Sequence, residues 1–76
     1  MTHDLIETTC RRSGVRATIA GKRVTLRGRG REVVWHPWSP RATAFLVGTC
    51  HTAWCATVEA AIALVKDGPS PVRRVR

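Results

Sequence analysis

Arginine is the residue type in this chain that most clearly indicates a binding function. All but two of the thirteen basic residues are arginine, only five residues are acidic, and the formal net charge is +8 at pH 7. A guanidinium group donates paired hydrogen bonds to phosphates, base edges and carboxylates. The sequence therefore predicts a strongly positive surface and a binding module for an anionic ligand, with nucleic acid as the first candidate.

The spacing of the arginines also carries information. They are threaded through the first half of the chain between apolar residues that alternate as in strands, rather than gathered in one run. A solvated face that keeps a small protein soluble is the alternative interpretation, but nearby acids do not balance the excess charge. The side chains that we expect to contact nucleic acid or another partner are Arg16, Arg23, Arg27, Arg29, Arg31, Trp38 and Arg41.

Three tryptophans, Trp35, Trp38 and Trp54, accompany the arginines. Tryptophan can stack on single-stranded bases, anchor a protein interface or fill a core. Trp54 lies on the apolar stripe of an expected helix, so we predict that it belongs to the core. Trp38 stands between Pro37 and Pro40, where exposure and a binding role are as plausible as packing.

Cysteine and histidine offer the other possible chemistry. Cys10, Cys50 and Cys55 are an odd number, and the first residues lack the basic and apolar stretches of a signal peptide. We therefore expect reduced thiols and a cytoplasmic protein. Cys50, His51 and Cys55, with His36, are a conceivable zinc set, but a second close pair is missing. Buried packing cysteines, no metal and no cofactor are the prediction.

Catalytic groups do not form a recognisable set. The five acids are scattered, so a carboxylate pair for acid–base chemistry is not expected. A cysteine nucleophile remains the alternative. We predict a protein that is not an enzyme.

The elements that must position the arginines follow from apolar periodicity. Residues 15–20 and 23–27 alternate with period two around Gly21-Lys22, which predicts a two-residue hairpin. Further strands are expected over 32–36 and 42–47, separated by Pro37 and Pro40. Residues 5–12 are compatible with a strand or a helical turn.

The final element is predicted to be a long helix. Thr52 is a suitable N-cap, and apolar residues at 54, 58, 61, 62 and 65 form a stripe. Alanines raise helix propensity, Lys66 suits the last turn, and Gly68 with Pro69 ends the helix. The expectation is a helix from Thr52 to Lys66 with Trp54, Val58, Ile62 and Val65 buried.

These elements define an α+β fold, a small antiparallel sheet of about three to five strands packed against one C-terminal helix. Residues 1–69 form a single basic domain, and residues 70–76 are expected to be a mobile basic tail. If the apolar residues of the first hairpin face the helix, Arg16, Arg23 and Arg27 lie on the opposite face.

The segment Val47-Gly48-Thr49-Cys50-His51-Thr52-Ala53, followed by an alanine-rich stretch, resembles the strand-to-helix junction of the Apetala/ethylene-response-factor DNA-binding domain. It is also similar to the arm-binding N-terminal domain of phage-type integrases. Gly48, Thr49, Thr52 and Ala56 carry the resemblance. It implies a sheet docked in the major groove of DNA, with Arg16, Arg23, Arg27 and Trp35 on that sheet.

The leading hypothesis is a non-enzymatic module that binds nucleic acid, with DNA favoured, through arginines on its sheet. The alternative is a small phage-type inhibitor, anti-CRISPR-like, or an adaptor that binds an acidic protein surface or blocks a nucleic-acid-handling complex. Phe45, Leu46 and Val47 form an apolar run on both faces of a strand, which slightly favours a homodimer. No membrane association is expected.

Overall fold

The computed structural model of the protein describes residues 2–68. Its element order is α1 (His3–Arg12), β1 (Arg16–Ala20), β2 (Arg23–Gly28), β3 (Arg31–Trp35), β4 (Thr43–Leu46), β5 (Thr52–Trp54) and α2 (Val58–Asp67). The predicted α+β class, with a small antiparallel sheet and a C-terminal helix packed on it, is confirmed. The structure adds a second helix, α1, at the N-terminus.

The five strands form a meander in the order β1-β2-β3-β4-β5, with every neighbouring pair antiparallel. The predicted hairpin is confirmed, because Ala20 pairs with Arg23 across the loop Gly21-Lys22. Gly21 takes φ +61 there, a conformation that glycine adopts without steric cost. The next loop, Arg29-Gly30, has positive φ at both residues, as a two-residue loop of type I′ requires.

Helix α1 settles the ambiguity over residues 5–12. The hydroxyl of Thr2 accepts a hydrogen bond from the backbone N–H of Leu5 at 3.1 Å and caps the helix. Ile6 and Cys10, one turn apart, are fully buried, which is the spacing that places two side chains on one helix face. The local sequence thus forms an amphipathic helix whose buried side contacts β1 and α2.

The predicted start of the C-terminal helix at Thr52 is wrong. Residues Thr52–Trp54 pair with β4 as strand β5, and the helix begins at Val58. Thr57 is the N-cap, and its hydroxyl accepts from the N–H of Ala60 at 3.1 Å. Pairing with β4 satisfies the backbone of this segment and outweighs the helix propensity of its alanines, which is a weak preference that tertiary contacts readily override.

Both helices lie on one face of the sheet, and the core is formed between them and that face. Trp35 is fully buried there, and its indole N–H donates to the carbonyl oxygen of Cys55 at 2.9 Å. The predicted burial of Val58, Ile62 and Val65 is confirmed. The predicted burial of Trp54 is wrong: on β5 it points to the other face and is 71% exposed.

The predicted basic tail at residues 70–76 lies outside the described residues, as does Pro69. Within residues 2–68, neither helix has the length and apolar character that crossing a membrane requires.

Candidate functional site

The sheet face opposite the two helices, called the open face below, is the candidate site. The strand register places on it alternate residues of all five strands. Because side chains alternate between faces along a strand, the apolar partners of these residues point into the core. The open face consists of Arg16, Thr18, Ala20, Arg23, Thr25, Arg27, Glu32, Val34, Thr43, Phe45, Thr52 and Trp54.

One side of this face, the arginine half, comprises Arg16 on β1 with Arg23 and Arg27 on β2. All three side chains are exposed. Arg16 and Arg27 are directly opposite each other in the register, an arrangement in which like charges destabilise a sheet. The fold alone does not favour such a pair, whereas a bound anion would relieve the repulsion.

Glu32 of β3 partly compensates for this charge. Its carboxylate lies 3.3 Å from Nε of Arg27, which it faces across the β2–β3 pair. Both side chains are substantially exposed, so this ion pair contributes little to stability. Glu32 is the only acid among the described residues of the open face, and the arginine half keeps a net positive charge.

The other side of the face, the aromatic half, comprises Val34 on β3, Phe45 on β4 and Trp54 on β5. Phe45 is 41% exposed and Trp54 is 71% exposed. Arg41, from the connection before β4, places its guanidinium carbon 5.7 Å from the centroid of the Trp54 ring. That distance is within the range of a cation–π interaction, so Arg41 adds a positive charge to the aromatic half.

The structure separates the predicted site residues. Arg16, Arg23 and Arg27 share the open face, with Arg16 opposite Arg27 and Arg23 at the other end of β2, and Arg41 lies beside this face. Arg29 is exposed in the β2–β3 loop with φ 51, but it lines a hollow with Ser13, Glu59 and Lys66, on the helix side of the sheet rather than on the open face.

Arg31 is held by a structural contact. Its Nη1 group donates to the carbonyl oxygens of Val65 at 3.3 Å and Lys66 at 3.0 Å. These carbonyls belong to the last turn of α2, where a helix leaves its acceptors without intrahelical partners. The side chain is half-buried and caps the helix, which leaves it less able to reach a ligand.

Trp38 is half-buried against the edge of the core, and its ring lies 5.1 Å from that of His3 in a tilted arrangement. It belongs to the loop between β3 and β4. Trp35, which the resemblance placed on a DNA-reading surface, is buried in the core instead. The junction that carries the resemblance is a turn followed by strand β5, so Thr52 does not cap a helix.

Phe45 and Trp54 were not among the residues predicted for the site. Leu46, the middle of the apolar run, is buried against the helices, while Phe45 and Val47 are exposed. The alternation of Thr52 and Trp54 with Ala53 and Cys55 was the available signal for a strand, and the nearby alanines concealed it. Thr57 before Val58 and Glu59 was the corresponding signal for the true helix start.

The cysteines are not assembled into a reactive centre. Burial raises the pKa of the Cys10 thiol to about 11 and also raises the pKa of Cys55. Both thiols are therefore neutral and poorly nucleophilic at physiological pH. Cys50 is exposed on the β4–β5 turn. Residues 2–68 contain no group of three or more potential metal ligands close enough to hold an ion.

The concave features of the open face are shallow. An open hollow of about 780 Å³ lies at one end of the sheet, between the β2–β3 and β4–β5 turns. Arg27, Glu32, Val47 and Thr49 are among its lining residues. Small-molecule sites are usually enclosed clefts, and this hollow, which is open to solvent, suits an extended ligand better.

Comparison with known proteins adds no constraint on this site: no protein-family model, curated protein or solved structure matches the chain.

Proposed function

We propose that the protein is a non-enzymatic nucleic-acid-binding module, with DNA the favoured ligand, whose arginine half contacts the phosphate backbone. The observation that carries the proposal is the placement of Arg16, Arg23 and Arg27 on two adjacent strands, exposed on a face that no described element covers. Three guanidinium groups on a rigid sheet form a preorganised surface for a polyanion. Arg41 adds a positive charge at the border of this face, next to Trp54.

The repulsion between Arg16 and Arg27 supports a binding role over simple solubility. A solubilising face would gain from alternating charges, because opposite charges on neighbouring strands stabilise a sheet. Here one pair is positive on both sides, and the single carboxylate of this face, that of Glu32, is opposite Arg27. Phosphate groups would complete the missing negative partners.

The proposal is tested by fluorescence anisotropy with labelled oligonucleotides over a range of salt concentrations. Each phosphate contact contributes about −0.9 for duplex DNA, or −0.7 for a single strand, to the slope of log affinity against log salt. Replacing Arg16, Arg23 and Arg27 together by Gln is expected to weaken binding strongly and to reduce the slope by about 2 to 3.

A matched control removes the same charge elsewhere. The triple variant Arg73→Gln, Arg74→Gln and Arg76→Gln changes residues outside the described part of the chain and lowers the net charge equally. It is expected to keep most of the affinity and of the salt slope. If this control loses binding while the sheet variant retains it, the open face is not the nucleic-acid surface.

A protein partner with an acidic surface is the second candidate, as for an anti-CRISPR-like inhibitor or an adaptor. The exposed Trp54 beside Arg41 favours it, since tryptophan and arginine dominate the hot spots of protein interfaces. Failure of every nucleic acid to bind at about 50 mM salt, with a stable protein complex lost on charge reversal at Arg23, would support this candidate instead.

A further inference from the structure

Phosphate contact by the arginines does not account for the aromatic half of the open face. Four large hydrophobic side chains are exposed among the described residues, Leu5, Phe45, Val47 and Trp54. Two of them are aromatic, and both of these lie on the open face, which also carries the arginines. Grouping on one face distinguishes them from the singly scattered apolar residues that any protein surface carries.

The register fixes how far apart the backbone positions of the two aromatic residues are. Phe45 is opposite Thr52, and Trp54 is opposite Thr43, so Phe45 and Trp54 are diagonal neighbours on adjacent strands. Diagonal positions on an antiparallel pair are about 7–8 Å apart. This separation exceeds the 3.4 Å rise per base along one strand of a duplex by about twofold. Two bases stacked on these rings are therefore separated from each other.

A duplex cannot stack two separated bases on these rings without being opened. Its base faces are covered by neighbouring bases, and only base edges and the backbone are accessible to a sheet. In a single strand the bases can be splayed out and stacked individually on aromatic side chains. The Phe45 and Trp54 rings thus fit the faces of unpaired bases.

Arg41 adds a positive charge at the aromatic end of the open face. Its guanidinium lies over the Trp54 ring, 5.7 Å from the centroid, so a base stacks on the other face of the ring or displaces the guanidinium toward a phosphate. The row Thr18, Thr25, Val34, Phe45 and Thr52 runs across the sheet from the arginine half to the aromatic half. A single strand lying along this direction meets arginines at one end and rings at the other.

We infer that the open face binds single-stranded nucleic acid, with bases stacked on Phe45 and Trp54 and phosphates held by Arg16, Arg23, Arg27 and Arg41. This inference rests on the proposed function and narrows it from nucleic acid in general to unpaired strands. Stacking and phosphate contact are common to DNA and RNA single strands, and the 2′-hydroxyl distinguishes them.

The test compares three ligands of the same length and sequence: a DNA single strand of about 12 nucleotides, within the usual site size, its RNA counterpart, and the DNA duplex. The full chain is titrated by fluorescence anisotropy. The single strands are expected to bind more tightly than the duplex. An RNA strand that binds more tightly than the DNA strand would identify RNA as the ligand, and the reverse would identify DNA.

Substitutions then assign the stacking contribution. Trp54→Ala is expected to weaken single-strand binding by about 5- to 150-fold, the range for loss of one base–aromatic stack. Phe45→Ala is expected to act in the same direction, whereas Trp54→Phe retains most of the affinity. Leu5→Ala, which removes from α1 an apolar side chain whose exposure lies between those of Phe45 and Trp54, serves as the matched control and leaves binding unchanged. Circular dichroism verifies that each variant is folded.

The outcomes separate this inference from the proposed function. If no single strand or duplex binds at about 50 mM salt, both fail. If the duplex binds as tightly as the single strands and Trp54→Ala changes neither affinity, the inference is overturned while the arginine half remains a phosphate-binding surface. A wild-type dimer that dissociates in Trp54→Ala, with single-strand affinity unchanged, would overturn it and identify the aromatic half as a contact between copies.

Discussion

Trp35 and Trp54 lie on opposite faces of the same sheet, and their surroundings differ in every respect. Trp35 is fully buried beneath the helices and donates its indole hydrogen bond to Cys55 at 2.9 Å. Trp54 is 71% exposed and has the Arg41 guanidinium near its ring. The face beneath the helices, called the covered face below, thus provides an internal hydrogen-bond acceptor for its tryptophan. The open face leaves the ring of its tryptophan exposed to solvent.

The two faces differ in charge as well. The covered face and the helices over it bury no charged side chain among residues 2–68, while the open face carries three arginines and one glutamate. From this contrast we expect the covered face to determine stability and the open face to determine binding. Substitutions on the covered face should affect stability, and those on the open face should affect binding with little change in stability.

The largest expected effect comes from truncating the buried tryptophan. Trp35→Ala removes core contacts and leaves the Cys55 carbonyl without its donor, so the free energy of unfolding should fall by about 3–5 kcal/mol. Trp54→Ala should change it by less than about 0.5 kcal/mol, as for surface substitutions in general. Urea denaturation of both variants measures the difference. Equal losses for the two would refute the contrast between the faces.

The second-largest effect distinguishes the structural role of Arg31 from the binding role of Arg27, two arginines that are close in sequence. Arg31→Gln removes a charged donor from the C-terminal carbonyls of α2 and should lower the free energy of unfolding by about 1.5 kcal/mol. Its effect on oligonucleotide affinity should be small. Arg27→Gln should show the reverse pattern. Thermal melts and binding titrations on both variants check this, and strong loss of binding in folded Arg31→Gln would place that side chain among the ligand contacts.

The third effect is a pH dependence of the free energy of unfolding, which arises from the buried thiols. The folded-state pKa of Cys10 is raised from 9.0 to about 11 by burial, so the unfolded chain loses this proton at lower pH than the folded chain. Stability should therefore be unaffected below pH 9 and should fall between pH 9 and about 11, by at most about 1.4 kcal/mol per pH unit for each thiol. Cys55 acts in the same direction.

Urea denaturation at several pH values measures this dependence. Cys10→Ala should show a shallower fall in this window than the natural protein. An identical pH profile for the variant and the natural protein would mean that ionisation of the Cys10 thiol does not destabilise the folded state.

The smallest effect concerns the single acid on the open face. Glu32→Gln removes the carboxylate that lies beside Arg27, so oligonucleotide affinity at low salt should rise by no more than about fivefold, with a stability change under about 1 kcal/mol. The gain should disappear at high salt, where exposed charges are screened. Weaker binding in this variant would show that Glu32 is needed to orient Arg27.

The first hairpin could be predicted from the sequence because its alternation is strict and Gly21 supplies the conformation that the loop needs. The placement of Arg16, Arg23 and Arg27 on one face followed directly. Residues 52–57 could not be predicted in the same way. Strand β5 is three residues long, and its identity depends on pairing with β4, a contact between segments that local propensity does not encode.

That single error also hid Trp54 as a member of the candidate site. Assigning Trp54 to a helix placed it in the core, whereas a strand of the same residues turns it toward the arginines. The role of Arg31 was equally inaccessible, because its partners are backbone carbonyls more than thirty residues later in the chain.

Side-chain NMR spectroscopy tests the central claim, that the open face is the nucleic-acid surface, most directly. In a titration of the ¹⁵N-labelled protein with a single-stranded oligonucleotide, the Trp54 indole N–H and the Nε–H groups of Arg16, Arg23 and Arg27 should shift. The Trp35 indole and the Arg31 group should not. Shifts confined to Arg11 and Arg12 on α1, with the Trp54 indole unchanged, would contradict the account.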